Sequence, residues 1–176
     1  MIPDDEPRPA HGHLSIDRCM LARAETSRGE AADEKNYIYQ HGISLSSAMI
    51  EDRTRIPSIL IFNSALSHLL LASTTLESSL RQRLLEKAMK VYKLAYTIEQ
   101  SSADYNNNNN IFKMSILNNL GVICRMLGKD EQAQEYFDYL VSMMMQLVQF
   151  GAHDNMLNHL NGIWANAVVK NVAPAA

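Results

Sequence analysis

Six histidines and two cysteines are the side chains best suited to metal binding or nucleophilic chemistry, and they are scattered. His11, His13 and Cys19 cluster near the start, but a zinc centre needs a fourth ligand at workable spacing, and none follows. His68 sits in an apolar helical run and reads as a hydrogen-bonded core histidine rather than a catalytic base. There is no HExxH, no paired CxxC, no GxSxG and no phosphate-cradling glycine loop. No two carboxylates stand together in apolar surroundings, as general acid–base work requires. Arg83, Lys87 and Lys90 share one helix face without interleaved aromatics, which points to a solvated face and not to nucleic acid. The expectation is a protein that is not an enzyme, with no catalytic residue, no metal and no cofactor.

Whatever positions the remaining polar groups must be helical. The chain has 176 residues, 47% of them hydrophobic, with only seven glycines and five prolines. That is long enough to bury a core. Net charge is −3, and the acidic excess lies in residues 1–56, which carry 7 basic and 10 acidic groups; residues 57–176 carry 9 of each. This balance gives no electrostatic reason to expect nucleic acid or an anionic membrane as partner. Met1 to Pro7 lack the basic start and apolar run of a signal peptide. The longest apolar stretch, Ile56 to Ala72, is broken by Pro57, Ser58, Asn63, Ser64, Ser67 and His68 and reads as a buried helix, not a membrane span. Two cysteines are too few for a disulfide framework, and Cys124 falls on the apolar side of a helix, so a buried free thiol in a reducing, cytoplasmic setting is expected.

Residues 1–15, rich in Pro, Asp and His, read as a flexible tail. Residues 16–56 read as irregular, with a weak helix over 16–33 and an extended stretch, or a short strand, from Asn36 to Ser46, where Tyr37, Ile38, Tyr39, Ile43 and Leu45 are aromatic or largely β-branched and Gly42 punctuates them. With no partner strand in view, this stretch is expected to lie across the helices. Residues 57–170 carry helical periodicity. Pro57 suits a first helical turn, and Ser73 to Ser79 is a polar break before a helix from Leu80 to Gln100. Ser101 to Asn110 ends in five asparagines and reads as a surface loop, because asparagine competes with its own backbone for hydrogen bonds. Helices from Ile111 to Leu127, Asp130 to Gln149 and Asp154 to Val169 follow, with Gly128 as a left-handed C-cap and Asp130 as an N-cap. Residues 171–176 are left as a tail.

The segment Ile116 to Phe137 contains Leu120-Gly121, Leu127-Gly128, Ala133 and Phe137, and it resembles a tetratricopeptide repeat (TPR). Phe62-Asn63-Ser64-Ala65-Leu66 can be laid over Leu117 to Gly121, with Ala88, Tyr92 and Ala95 repeating the small–aromatic–small pattern; a partial copy spans Leu157 to Trp164. On this alignment Asn63, Asn118 and Asn158 are equivalent. Leu66 stands where the glycine belongs, and no proline follows Phe137. The pattern is also similar to an uncharacterised, expanded group of helical proteins in diatoms, which implies no activity. The resemblance implies an all-α fold: antiparallel helix pairs stacked as a short TPR-like solenoid, with an irregular or partly extended N-terminal segment. Gly121 and Ala133 would be small because paired helices approach closely there, and Phe137 would be the wedge.

The resemblance further implies a concave groove lined by first helices, here Asn63, Ser67, Ser115, Asn118, Asn119, Val122, Arg125, Met126 and Asn158, beside His159, that holds a peptide or helix of another protein. Asparagine offers two donors and an acceptor to a backbone amide. The same asparagines could instead satisfy carbonyls between helices. Asn119 alone matches a position of the carboxylate clamp known in such grooves; the basic positions are not reproduced. About two and a half repeats bury too little on their own. Either residues 16–50 fold back over an exposed end, or the molecule forms a homodimer, or it docks on a larger assembly; the methionines Met143, Met144, Met145 and Met156 read as core packing or as an adaptable surface, and Trp164 as sealing the array or anchoring a partner. The expected function is therefore an adaptor that binds a peptide or helix, with a structural, non-catalytic subunit of a homo-oligomer or larger complex as the alternative.

Overall fold

A computed structural model describes residues 38–45, 56–101, 110–149 and 160–168. Among them are five helices and no strand: α1 (Ile56–Thr74), α2 (Ser78–Ser101), α3 (Asn110–Met126), α4 (Asp130–Gln149) and α5 (Asn161–Val168). The suggested tail, the weak helix over 16–33, His11, His13, Cys19, Met156, Asn158 and His159 lie outside the described residues.

The connections are set by local chemistry. The hydroxyls of Ser73, Thr74 and Thr75 close α1 by donating to the Leu70 and Leu71 carbonyls, so the polar break finishes one helix before it starts the next. Glu77 supplies the first carbonyl of α2, accepting from the Arg81 amide at 2.9 Å. Between α3 and α4 the chain reverses through a Schellman cap. The Lys129 amide donates to the Cys124 carbonyl at 2.8 Å and the Gly128 amide to the Arg125 carbonyl at 2.9 Å. Gly128 takes φ +69°, the left-handed conformation that this cap demands. Asp130 and Glu131 place negative charge on the first turn of α4, where the helix dipole favours it.

α3 is the central element. Every residue from Met114 to Cys124 is buried, because α2, α4 and α5 all pack on it. α1 pairs with α2, and Phe62 reaches the α3 side: its ring lies 5.6 Å from Tyr92 and 5.2 Å from Phe112, centroid to centroid. Within the second pair, Phe137 of α4 packs on Gly121 of α3, where a β-carbon would sit 2.5 Å from its ring. The Arg125 guanidinium stacks over that ring, 4.1 Å from its centroid.

Several expectations change. α1 has 19 residues and a mean hydropathy of 1.5, so by length and composition it is long and apolar enough to cross a membrane; its interrupting serines and asparagine do not lower that average enough. Here its face of Ile59, Phe62, Ala65, Leu66, Leu69 and Ala72 is buried in the core. Trp164 does not seal the array. It remains 42% exposed, because Leu160, Ile163 and Ala167 form the buried side of α5. In the methionine run only Met144 is buried, with Met143 at the margin and Met145 outside, as helical rotation requires. His68 is half-buried, and its Nδ1 donates to the Ser64 carbonyl at 2.7 Å, one turn back in the same helix.

Candidate functional site

The site is built on asparagine side chains. Residues 38–45 carry neither helix, strand, turn nor bend, and they cross from α3 to α1. Tyr39 and Ile43 are buried, Ile38, His41 and Gly42 are half-buried, and Gln40, Ser44 and Leu45 are exposed. Two amides fix this segment by its backbone. Asn119 Oδ1 accepts from the Tyr39 amide at 2.9 Å while Asn119 Nδ2 donates to the Tyr39 carbonyl at 3.1 Å. Asn63 does the same for Ile43, accepting at 2.9 Å and donating at 2.8 Å. Each asparagine thus reads one residue's N–H and C=O together, as a neighbouring β-strand would.

Asn119 is fully engaged. Its second amide proton goes to the Tyr92 hydroxyl at 2.9 Å, and its oxygen also accepts from Asn118 Nδ2 at 3.1 Å. Burial pushes the Tyr92 phenol well above its ordinary range, an effect that the Asn119 hydrogen bond opposes. Asn118 reaches α5. Its oxygen accepts from Asn166 Nδ2 at 2.8 Å, which ties α3 to α5. Tyr39 places its ring 6.5 Å from Phe62, edge-on, and 5.3 Å from His41. The extended segment therefore sits on an aromatic base, and Asn119 and Asn63 hold its backbone at Tyr39 and Ile43.

The nine suggested groove residues divide. Asn63 and Asn119 grip the extended segment; Asn118 braces Asn119. Ser67 is exposed and donates to its own helix at Asn63 O. Ser115 is buried and donates to the Ile111 carbonyl, and Val122 is core, so neither lines an open groove. Both follow from α3 being enclosed on several sides instead of on one. Arg125 is half-buried over Phe137, with Nη2 3.5 Å from the Asn166 carbonyl, and burial lowers its guanidinium pKa. Met126 packs at the margin of the core. The alignment of Asn63 with Asn118 is one residue out in role: the partner of Asn63 in holding the chain is Asn119. A one-residue step turns a helix by about 100°, which separates a residue facing the segment from one facing α5.

The repeat-defining residues behave as structural ones. Leu120, Gly121, Ala133, Phe137, Ala88, Tyr92 and Ala95 are all buried. Gly128 alone is exposed, at its turn. Tyr39 and Ile43 are not among the groove residues that the resemblance implies, although their aromatic and β-branched character marks an extended stretch. What the sequence lacked was any sign of which asparagines they would meet. Cys124 is a buried free thiol, pushed up by burial, with Sγ 3.5 Å from Gln132 Oε1. Among the described residues no three His, Cys, Asp or Glu side chains come together as metal ligands. An open depression of about 490 Å³ over the α3–α4 turn is lined by Gly128 to Gln132, one continuous stretch and not a convergence of elements.

Compared with known proteins, the chain matches no family model, no curated protein and no solved structure.

Proposed function

We propose that this chain is a non-catalytic interaction module that holds an extended polypeptide through its backbone, on a groove formed by α1 and α3. The observation that carries this reading is the pair of amide clamps: Asn63 and Asn119 each exchange two hydrogen bonds with one residue of an extended chain, four residues apart. Backbone contacts give affinity to any extended segment, and the buried apolar side chains of the two clamped residues give selectivity. The TPR-like resemblance supports the same reading, since grooves of that family lie on the first helix of each pair.

The test is a peptide-display selection on the full chain carrying Ile43→Pro, which removes the amide by which the chain's own segment holds Asn63, repeated with Asn63→Ala added. Asn63 is the better probe because it is half-buried, whereas replacing Asn118 and Asn119 would disturb the core. Enriched peptides are expected to share two apolar positions separated by three residues and to bind Asn63→Ala at least about tenfold more weakly, the loss of a hydrogen-bonded pair. Binders indifferent to Asn63→Ala would remove the reading.

A second reading, a structural subunit in a homo-oligomer, draws on the outward stripe of α1. Leu60 and Leu71 are 53% and 54% exposed, with Ser64 beside and Ser67 between them on the same side. It predicts a concentration-dependent mass in light scattering that Leu71→Asp or Trp164→Asp abolishes. Met144 is unsuitable for that test because it is buried.

A further inference from the structure

The groove proposed above is already filled by this chain's own residues 38–45. Three observations bear on how firmly. The grip is on the backbone, so nothing in the four amide hydrogen bonds requires this particular sequence. The segment has no secondary structure of its own; Tyr39 and Ile43 are buried, while Gln40, Ser44 and Leu45 are exposed. Finally, it is covalently joined to α1, so it competes at the high effective concentration of a tethered ligand.

We propose that residues 38–45 act in cis as an internal occupant of the peptide groove, and that a partner's extended segment of the same chemistry displaces them. This inference rests on the peptide-binding reading. The internal segment also reports what the partner must present. Residues at i, i+2 and i+4 face the helices in an extended chain, and here they are Tyr39, His41 and Ile43. The first packs edge-on against Phe62. The fitting partner is an extended peptide with an aromatic residue and a β-branched aliphatic four positions later. Its first and last amides must be free to donate, so proline is excluded at both places. The two clamped residues span at most about 14 Å, which fixes the register.

The experiment uses the full chain and a fluorescein-labelled synthetic peptide corresponding to residues 36–46. Ile43→Pro removes the amide that Asn63 accepts and leaves the groove side chains unchanged, so it releases the segment. The labelled peptide is expected to bind Ile43→Pro roughly 10–100-fold more tightly than the wild type, since a tethered occupant lowers the fraction of open groove. In the ¹⁵N-labelled wild type, adding unlabelled peptide to millimolar concentration is expected to speed hydrogen exchange at the Tyr39 and Ile43 amides. That second measurement stands even if Ile43→Pro fails to fold. Equal affinity for the two proteins, or Tyr39 and Ile43 amides that stay protected at millimolar peptide, overturns the internal-occupant proposal and leaves the peptide-binding reading intact. A well-folded Ile43→Pro that binds neither this peptide nor any display-selected one overturns both. A wild-type dimer in which each segment lies in its neighbour's groove also overturns the cis proposal and makes a second copy of the chain the occupant.

Discussion

Phe137 occupies the space that a side chain on Gly121 would need: a β-carbon there would meet Cζ of the ring at 2.5 Å and Cε1 at 2.8 Å. The helices of the second pair are close at that point because one of them carries no side chain. On a free helix Gly→Ala gains about 1 kcal/mol. Here the overlap with a buried ring outweighs it.

Gly121→Ala is expected to destabilise the protein by about 1–3 kcal/mol, the range for overpacking a core. Urea denaturation measures it. Combining it with Phe137→Leu, which shrinks the obstructing ring, should cost at least about 0.5 kcal/mol less than the two single losses added. Strict additivity would mean that the ring is not the obstacle.

Gly128 is glycine for a different reason. Its φ of +69° is left-handed, but a β-carbon there would meet nothing within 4 Å. Gly128→Ala should cost about 1–2 kcal/mol from backbone strain alone. Gly128→Asn should cost less, because asparagine tolerates this conformation. An alanine as stable as wild type would show that the cap relaxes into another turn.

The two clamping asparagines should differ in weight. Asn119→Ala leaves the Tyr39 amide and carbonyl and the Tyr92 hydroxyl without their partner in a dry interior, at a cost of at least about 2 kcal/mol. Asn63→Ala, at a half-buried position that water reaches, should cost about 1 kcal/mol or less. Denaturant midpoints at a common m-value test this ranking. The reverse order would mean that the segment is fixed from the α1 side.

Stability should fall in alkali. Burial holds the folded Tyr92 phenol above the unfolded value of about 10, so the unfolded state releases its proton first. The contribution is fully present below pH 10 and is lost as pH rises through the folded value, with a slope approaching about 1.4 kcal/mol per pH unit from this one group. Tyr96 and Tyr136 are raised in the same direction, first by burial, and add to the decline. Stability measured from pH 8 to 11 should turn downward near pH 10, less steeply in Tyr92→Phe. An identical profile in that variant would place the effect elsewhere.

Much of the helical architecture was legible because it depends on local signals. Apolar spacing located α1 to α4 within two residues at most ends, and α4 spans Asp130–Gln149. Gly128 was readable as a cap because a left-handed residue is a property of the turn itself. The Gly121, Ala133 and Phe137 pattern likewise foretold a close helix pair. These features follow from backbone preference and side-chain size, which act within a few residues of the chain. The asparagines were a different matter. Nothing near Asn118 and Asn119 distinguishes their sequence surroundings, yet one grips residue 39, eighty positions away, and the other braces α5. Which of the two meets the extended segment depends on the rotation of α3 among three packed helices, a quantity fixed by the sum of core contacts and not by any local motif. The sequence by itself determined the helices, their caps and the tight second pair; only the tertiary structure decided that the chain's own residues 38–45 lie in the asparagine clamps, because hydrogen bonds between distant segments form only after packing has brought them together.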